Sequence, residues 1–586
     1  MTPIYWSGYE KEKTQWTDAT MKNSILATTL LIAAALGLTS CEKAAPPAKT
    51  RAPFSVVEVS IPDIQKAIAE GRVTSEELVK QYLIRIATYE NVINASIAVN
   101  PHALEQARKL DEERKVGKLR GPMHGIPIAL KDNIQDTDMP TTGGNIGLAG
   151  FVPDWDAPLT KNLKDAGAII LAKTTMSEFA GYFGQGAPGT YSSISGFSFN
   201  PYDPRRDPRP GQNDGRGILN TGGSSSGTGT TSNFWAGNFG TETGGSIIGP
   251  SNLNMLAAIK PTIGRISRWG IIPITMDQDT AGPMGKSVTD VAIMLGAAEG
   301  KQPDPNDPAT TRCTLLPNND YTPHLKADGL KGARIGVPRL GYGVEILLPG
   351  EKQPRGGMPE DQRKAYEEAI AVLKKAGAEI VDPADFPSAI TNEPMRNVLL
   401  AGECDREVTP TCMSVMNYGM HRDFNIWLAA QNGKAPWKTI DEFVAWNEAN
   451  KNLGTLRYGQ DALIDAVNTD LEKDKATYER DQKRALDMGA ANGIDAVLEE
   501  YKLDAVLFMG GRGTGISNRV GYPEITVPFA MVANSGGSPL PEGFNAKSQP
   551  MGITFTGTAC SEPRLIELAY SFEQATQRRQ PPPGMP

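Results

Sequence analysis

Two short clusters of glycine and serine stand out as chemistry-bearing: Gly222-Gly223-Ser224-Ser225-Ser226-Gly227 and Gly244-Gly245-Ser246, both inside the stretch Leu219 to Pro250. A serine hydroxyl attacks a carbonyl once another group removes its proton. Glycine lets a substrate approach main-chain N–H groups closely. By composition a GGSSSG run also fits a flexible linker. This one, however, lies deep in the chain, and Ile247, Ile248, Leu253, Met255 and Leu256 come directly after. Lys131 ends the apolar run Gly125-Ile126-Pro127-Ile128-Ala129-Leu130, and active groups in α/β folds often sit at strand ends. Histidine is scarce. His102, His124, His324 and His421 form no HExxH pattern, and no cysteine pair has zinc-site spacing. A lone lysine at such a place is usually solvated, so by itself Lys131 does not identify a base.

These residues must be held by surrounding elements. Ser60, and then Thr74 with Glu77, mark the starts of two helices between Val56 and Tyr89, and a third spans about Pro101 to Glu113. Gly125–Leu130, Ala166–Ala172, Ala333–Pro338, Glu379–Asp382, Leu503–Met509, Ile525–Pro528 and Pro550–Phe555 predict buried strands. Helices are predicted from Ser287 to Ala298, Pro359 to Ala376 and Glu562 to Gln577. Alternation of short apolar runs with helices predicts an α/β fold with a largely buried sheet. From about 391 to 501 the pattern is helical and carries Trp427, Trp437 and Trp446. Those rings could wall a pocket or simply pack helix against helix. With 586 residues, 39% apolar content and a net charge of −8, the chain is an ordinary globular protein with no electrostatic footprint for nucleic acid.

The N-terminus reads as an address. Residues 1–20 are polar and precede a better start at Met21, which suggests a non-native or misannotated extension. Residues 21–40 fit a secretion signal: its apolar run, Ile25 to Leu38, is too short for a comfortable membrane span. Leu38-Thr39-Ser40-Cys41 resembles the bacterial lipobox, in which the cysteine is lipidated. Cys41 would anchor the protein in the cell envelope, with the outer membrane favoured by Glu42, and residues 41–55 would form a tether. Residues 56–586 are expected to form a single domain. A Cys404–Cys412 disulfide and free thiols in the core are both compatible with the sequence.

Taken in order, GIPIALKDNI, LAKTTMSEFA, GGSSSG, GTETGGSI, KPTIGRISRWGIIP, QDTAGPM, GYPEITVP, PMGITFTG and RLIELAYSFEQAT resemble the amidase signature family of serine hydrolases. The resemblance runs from about Ile64 to Pro581. It implies a large, mixed, mostly parallel twisted central sheet covered by helices on both faces. It also implies a triad of Ser246 as nucleophile, Ser224 after a cis peptide bond as relay, and Lys131 as base. Thr243, Gly244, Gly245 and Ser246 would supply the oxyanion N–H groups, and Ser225 would support the lysine. No metal or organic cofactor is implied. The substrate would be a small-molecule or peptide amide.

Two departures from the family pattern matter. Ser224 and Ser246 are two residues closer than is usual in the family, and Ile248 replaces an arginine. A two-residue loss inside a helix would rotate every later residue by about 200°, so it must be absorbed near Gly237-Asn238-Phe239-Gly240. An unabsorbed loss would leave a catalytically impaired scaffold. The amidotransferase A-type subunit shares this fold, but its complex is cytoplasmic, which an export signal opposes.

Overall fold

The computed structural model describes residues 53–222, 227–404, 409–534 and 538–585. Ser224, Ser225, the signal segment 21–40 and Cys41 lie outside these residues.

Helices form where caps and apolar stripes predict them. α1 (Ile61–Ala69) is capped by the Ser60 side chain, and α2 (Ser75–Ile93) starts in the Thr74/Glu77 capping box. α3 (Ala103–Lys115) and α4 (Pro158–Asp165) come next. α5 (Thr228–Thr231) is a single turn and α6 (Ile248–Leu253) is little longer. α7 (Val288–Ala298) is capped by Ser287, and α8 (Glu360–Lys375) begins after Pro359. The helical segment from about 391 to 501 holds α9 (Val415–Ala429), α10 (Ile440–Ala449), α11 (Asp461–Asn468), α12 (Lys475–Leu486) and α13 (Ile494–Tyr501). α14 (Thr514–Val520) and α15 (Glu562–Thr576) lie nearer the C-terminus. Among the described residues no helix is long and apolar enough to cross a membrane.

The main sheet has eleven strands: β1 (Ser96–Val99), β2 (Pro127–Lys131), β3 (Ile169–Thr174), β4 (Asn238–Glu242), β5 (Ala257–Lys260), β6 (Thr280–Gly285), β7 (Arg334–Gly336), β8 (Glu379–Val381), β9 (Ala505–Met509), β10 (Glu524–Val532) and β11 (Gln549–Thr556). Their order is β1-β3-β2-β4-β6-β5-β10-β11-β9-β7-β8. The sheet is mixed, as expected, but it is not mostly parallel. Six of its ten pairings are antiparallel; the parallel ones are β3–β2, β2–β4, β9–β7 and β7–β8. A strand buried on both faces reads as an apolar run whichever way its neighbour points, so the sequence pattern carries no direction.

Strand β9 shows that both faces are covered. Ala505, Leu507 and Met509 join the large core with α1, α2, α7, α8 and α15, whereas Val506 and Phe508 join a second cluster with residues of α9, α12 and α13. Alternating side chains point to opposite faces, so the helices lie on both. Residues 53–586 form one compact unit.

Two disulfides cross-link the described residues. Cys404–Cys412 is formed, which decides between the two states the sequence left open. Cys313–Cys560 joins positions 247 residues apart, a pairing that spacing does not announce.

Candidate active site

Lys131 is the last residue of β2, and its side chain is fully buried. Strand β2 is apolar and enclosed, so the lysine reaches the strand's end without passing through water. Its Nζ donates to the Thr241 Oγ1 at 2.8 Å and to the Thr241 main-chain oxygen at 3.1 Å. Thr241 stands on β4, which pairs in parallel with β2. Burial pushes the Lys131 ammonium down to about 7, against the opposing pull of Asp279 and Glu242. Near neutral pH a sizeable share of this amine is therefore uncharged and able to accept a proton.

β4 runs out into the turn Thr243-Gly244-Gly245-Ser246, and α6 begins two residues later. Gly245 has φ +121°, a conformation closed to most side chains, and a Cβ on Gly244 would meet nothing within 4 Å. Among the described residues none accepts a hydrogen bond from the main-chain N–H of Gly244, Gly245 or Ser246. Ser246 is half-exposed at the edge of this turn. Such a turn offers both a hydroxyl and a set of oxyanion donors.

The turn is pinned on both sides. Buried Glu242 accepts the Ile247 and Ile248 N–H groups at 2.6 and 2.8 Å, which fixes the start of α6 just beyond Ser246. Burial raises the pKa of this carboxyl, while nearby Lys260 opposes the rise. Thr243 Oγ1 donates to Asp279, whose other oxygen accepts the Ile274 and Thr275 N–H groups at 2.9 and 3.1 Å. Burial raises the Asp279 carboxyl to about 7. Arg268 bridges Asp307, with contacts of 2.9 and 2.5 Å, to the Asp279 main-chain oxygen at 3.3 Å.

Thr221 and Gly222 pack against the same helix. A Cβ at Gly222 (φ +94°) would lie 2.5 Å from the Gly249 oxygen, so only two glycine backbones can approach this closely. Gly222 is two residues before Ser224, and Gly249 is three after Ser246. Asn254 Nδ2 also donates to the Thr221 oxygen at 3.0 Å. Between Gly227 and Asn238 the chain makes one helical turn and a loop, with no long helix between them. Ile248 is fully buried.

A recess opens beside Thr241 and Thr243 and is lined by Asn133, Ala180, Ile272 and Ile274 among others. Phe179 and Ala180 both hold positive φ, 44° and 57°, and this strained pair carries Ala180 to the wall. Trp427 and Trp437 pack with Ile272 and Ile274 in one aromatic cluster. This helical segment therefore backs the wall rather than lining it.

The structure thus brings Lys131 to the strand beside the one that ends in the Thr243–Ser246 turn. Thr241, Asn133, Glu242 and Asp279 received no role from the sequence, although each lies within or next to a signature stretch. The signal was proximity to Lys131 and Ser246; which side chains face inward is a tertiary fact.

Comparison with known proteins points the same way. The sequence profile of the Amidase family matches residues 77–407. An Arabidopsis thaliana protein named as a probable amidase is 31% identical over 541 residues, covering 90% of this chain and 92% of its own. The A-type subunit of the Chloroflexus aurantiacus glutamyl-tRNA(Gln) amidotransferase is 36% identical over 527 residues, covering 88% and 96%. The peptide amidase of Stenotrophomonas maltophilia superposes with a TM-score of 0.75 at 33% identity, over 90% of this chain and 99% of that one.

Proposed function

This chain belongs to the amidase signature family, and we propose that it hydrolyses a carboxylic amide through an acyl-enzyme on Ser246. The observation that carries this is a fully buried Lys131, its amine held below the ordinary lysine range, on the strand beside the one that runs into a turn with a serine hydroxyl and N–H groups that find no acceptor among the described residues. Ser246 Oγ attacks the amide carbonyl, and its proton passes through Ser224 to Lys131. The tetrahedral oxyanion lies against N–H groups of Thr243 to Ser246; losing one such donor typically costs about 2.7–4 kcal/mol of barrier. The relay returns the proton to the leaving nitrogen and releases ammonia or an amine. Water then attacks the ester carbonyl and frees the acid. Peptide C-terminal amides are the first substrates to try, given the likeness to a peptide amidase. A fluorophosphonate probe tests the nucleophile: wild type labels and Ser246→Ala does not. Labelling that persists in Ser246→Ala would place the nucleophile elsewhere.

The likeness to the A-type component of amidotransferases supports a second reading, a glutaminase working within a complex. Two disulfides favour an oxidising compartment, which opposes a cytoplasmic complex. Hydrolysis of peptide amides by the purified chain alone would support the first reading, and activity confined to glutamine the second. The same disulfides support an envelope protein anchored through Cys41. Incorporation of labelled palmitate, lost in Cys41→Ser, is the expected result.

A further inference from the structure

The turn at the C-terminal end of α3 combines features that the amidase chemistry does not use. Residues Arg114-Lys115-Val116-Gly117-Lys118-Leu119-Arg120 hold four cations and no acid, in a chain of net charge −8. Val116 is 80% exposed and Leu119 59% exposed, among the most exposed large apolar side chains described. The turn has a defined shape. Gly117 takes φ +76°, and the Gly117 and Lys118 N–H groups bond the Arg114 and Glu113 oxygens at 2.9 Å. That is a helix C-cap, and cations there suit the helix dipole. The dipole does not explain two apolar side chains aimed at water. Of the nearby acids, Glu113 takes up Arg120 at 2.6 Å and touches Lys118 at 3.9 Å, Glu112 is exposed, and Asp111 caps α2. Lys115 and most of the Lys118 charge stay open to an anionic partner.

Its place in the fold selects that partner. The turn leads through Gly121–Ile126 into the start of β2, whereas Lys131 ends β2, so turn and active site sit at opposite ends of one strand. The described chain begins nearby. Arg72, in the turn between α1 and α2, lies 5.7 Å over the Phe54 ring, and Gln65 of α1 donates to the Pro122 oxygen. Asp111 of α3 accepts the first N–H groups of α2 at 2.8 and 3.0 Å, which locks this end together. Twelve residue steps separate Cys41 from Pro53, a reach of at most about 40 Å. A lipid on Cys41 would thus hold this end of the molecule close to a bilayer.

We propose that the 114–120 turn docks on an anionic bilayer surface. Val116 and Leu119 enter the interface, Lys115 and Lys118 face lipid phosphates, and the active site is presented away from the membrane. The biological setting rests on the anchored-lipoprotein reading above, but the contact itself does not need the anchor. The test uses the chain from Pro53 onward, which holds all the described elements in one compact unit. It is sedimented with vesicles of equal parts phosphatidylcholine and phosphatidylglycerol, and with phosphatidylcholine alone. Binding is expected only to the anionic vesicles and is expected to weaken with salt. Lys115→Gln with Lys118→Gln should weaken it by about fivefold per lysine, and Val116→Ser with Leu119→Ser by a comparable factor. Both variants should keep the wild-type melting temperature and soluble-amide hydrolysis. Equal binding to both vesicle types, or wild-type binding by both folded variants, overturns the proposal. Palmitate incorporation at Cys41 without vesicle binding would leave the anchor standing and remove the docking surface. Vesicle binding without palmitate would do the reverse.

Discussion

Thr241→Val tests whether Lys131 works as an uncharged base. Valine keeps the shape of threonine but removes Oγ1, which accepts from Lys131 Nζ at 2.8 Å and from Asn133 Nδ2 at 3.1 Å. Asn133 keeps a second acceptor, the Ile272 oxygen at 3.2 Å, and Lys131 keeps the Thr241 main-chain oxygen. A hydrogen bond to a charged donor is worth about 1 kcal/mol more than one to a neutral donor. The lost bond therefore penalises the ammonium more than the amine. At about 1.4 kcal/mol per pKa unit, the lysine falls by roughly 0.7 of a unit. In wild type, kcat/KM should rise with pH through about 7 as Lys131 loses its proton, then level off. In Thr241→Val that rise should come at about pH 6.3, with a lower plateau because the amine is held less firmly. The assay is kcat/KM for a peptide amide from pH 5 to 9. A rise that stays in place or moves upward would refute the uncharged-lysine mechanism, because removing an acceptor can only favour the neutral form. Stability carries the same signature. The Lys131 pKa lies below its ordinary 10.5, so the unfolded chain binds more protons between about 7 and 10.5, and this group's contribution to stability rises with pH across that window.

Gly245→Ala should cost about 1–2 kcal/mol of stability from its positive φ and lower kcat on the order of 100-fold by turning an oxyanion N–H; unchanged kcat would remove that turn from the chemistry. Cys313→Ser with Cys560→Ser should lower the thermal midpoint of the oxidised protein, since the bridge closes a 247-residue separation; the check is a melt with and without dithiothreitol, which should leave the double variant less changed than wild type. Removing residues 1–41 should give an enzyme active without detergent, measured on soluble amides; an inactive but folded product would contradict the tether assignment.

How much of this was readable before folding differs element by element. The capping box at Thr74/Glu77 and the apolar run ending in Lys131 are local, and each became the predicted helix or strand. Strand β4, Asn238–Glu242, was not anticipated. Its glycine and polar residues look like loop, and only burial between β2 and β6 makes them a strand. The direction of the central strands was likewise hidden, because an apolar run is the same read toward either neighbour.

By itself the sequence determined the chemical inventory: a lysine at a strand end, a serine after two glycines, no histidine in a base motif, and an ordered set of signature stretches that identify the family. Those are properties of residue type and local spacing. Tertiary structure alone decided the environment of that inventory. Sealing Lys131 from water lowers the pKa of its amine, and parallel pairing brings Thr241 to it. Two glycine backbones in contact set Gly222 against α6. A pKa and a contact belong to a residue's surroundings in space, and for Lys131 the groups that set them, Thr241, Glu242 and Asp279, lie more than a hundred residues further along the chain.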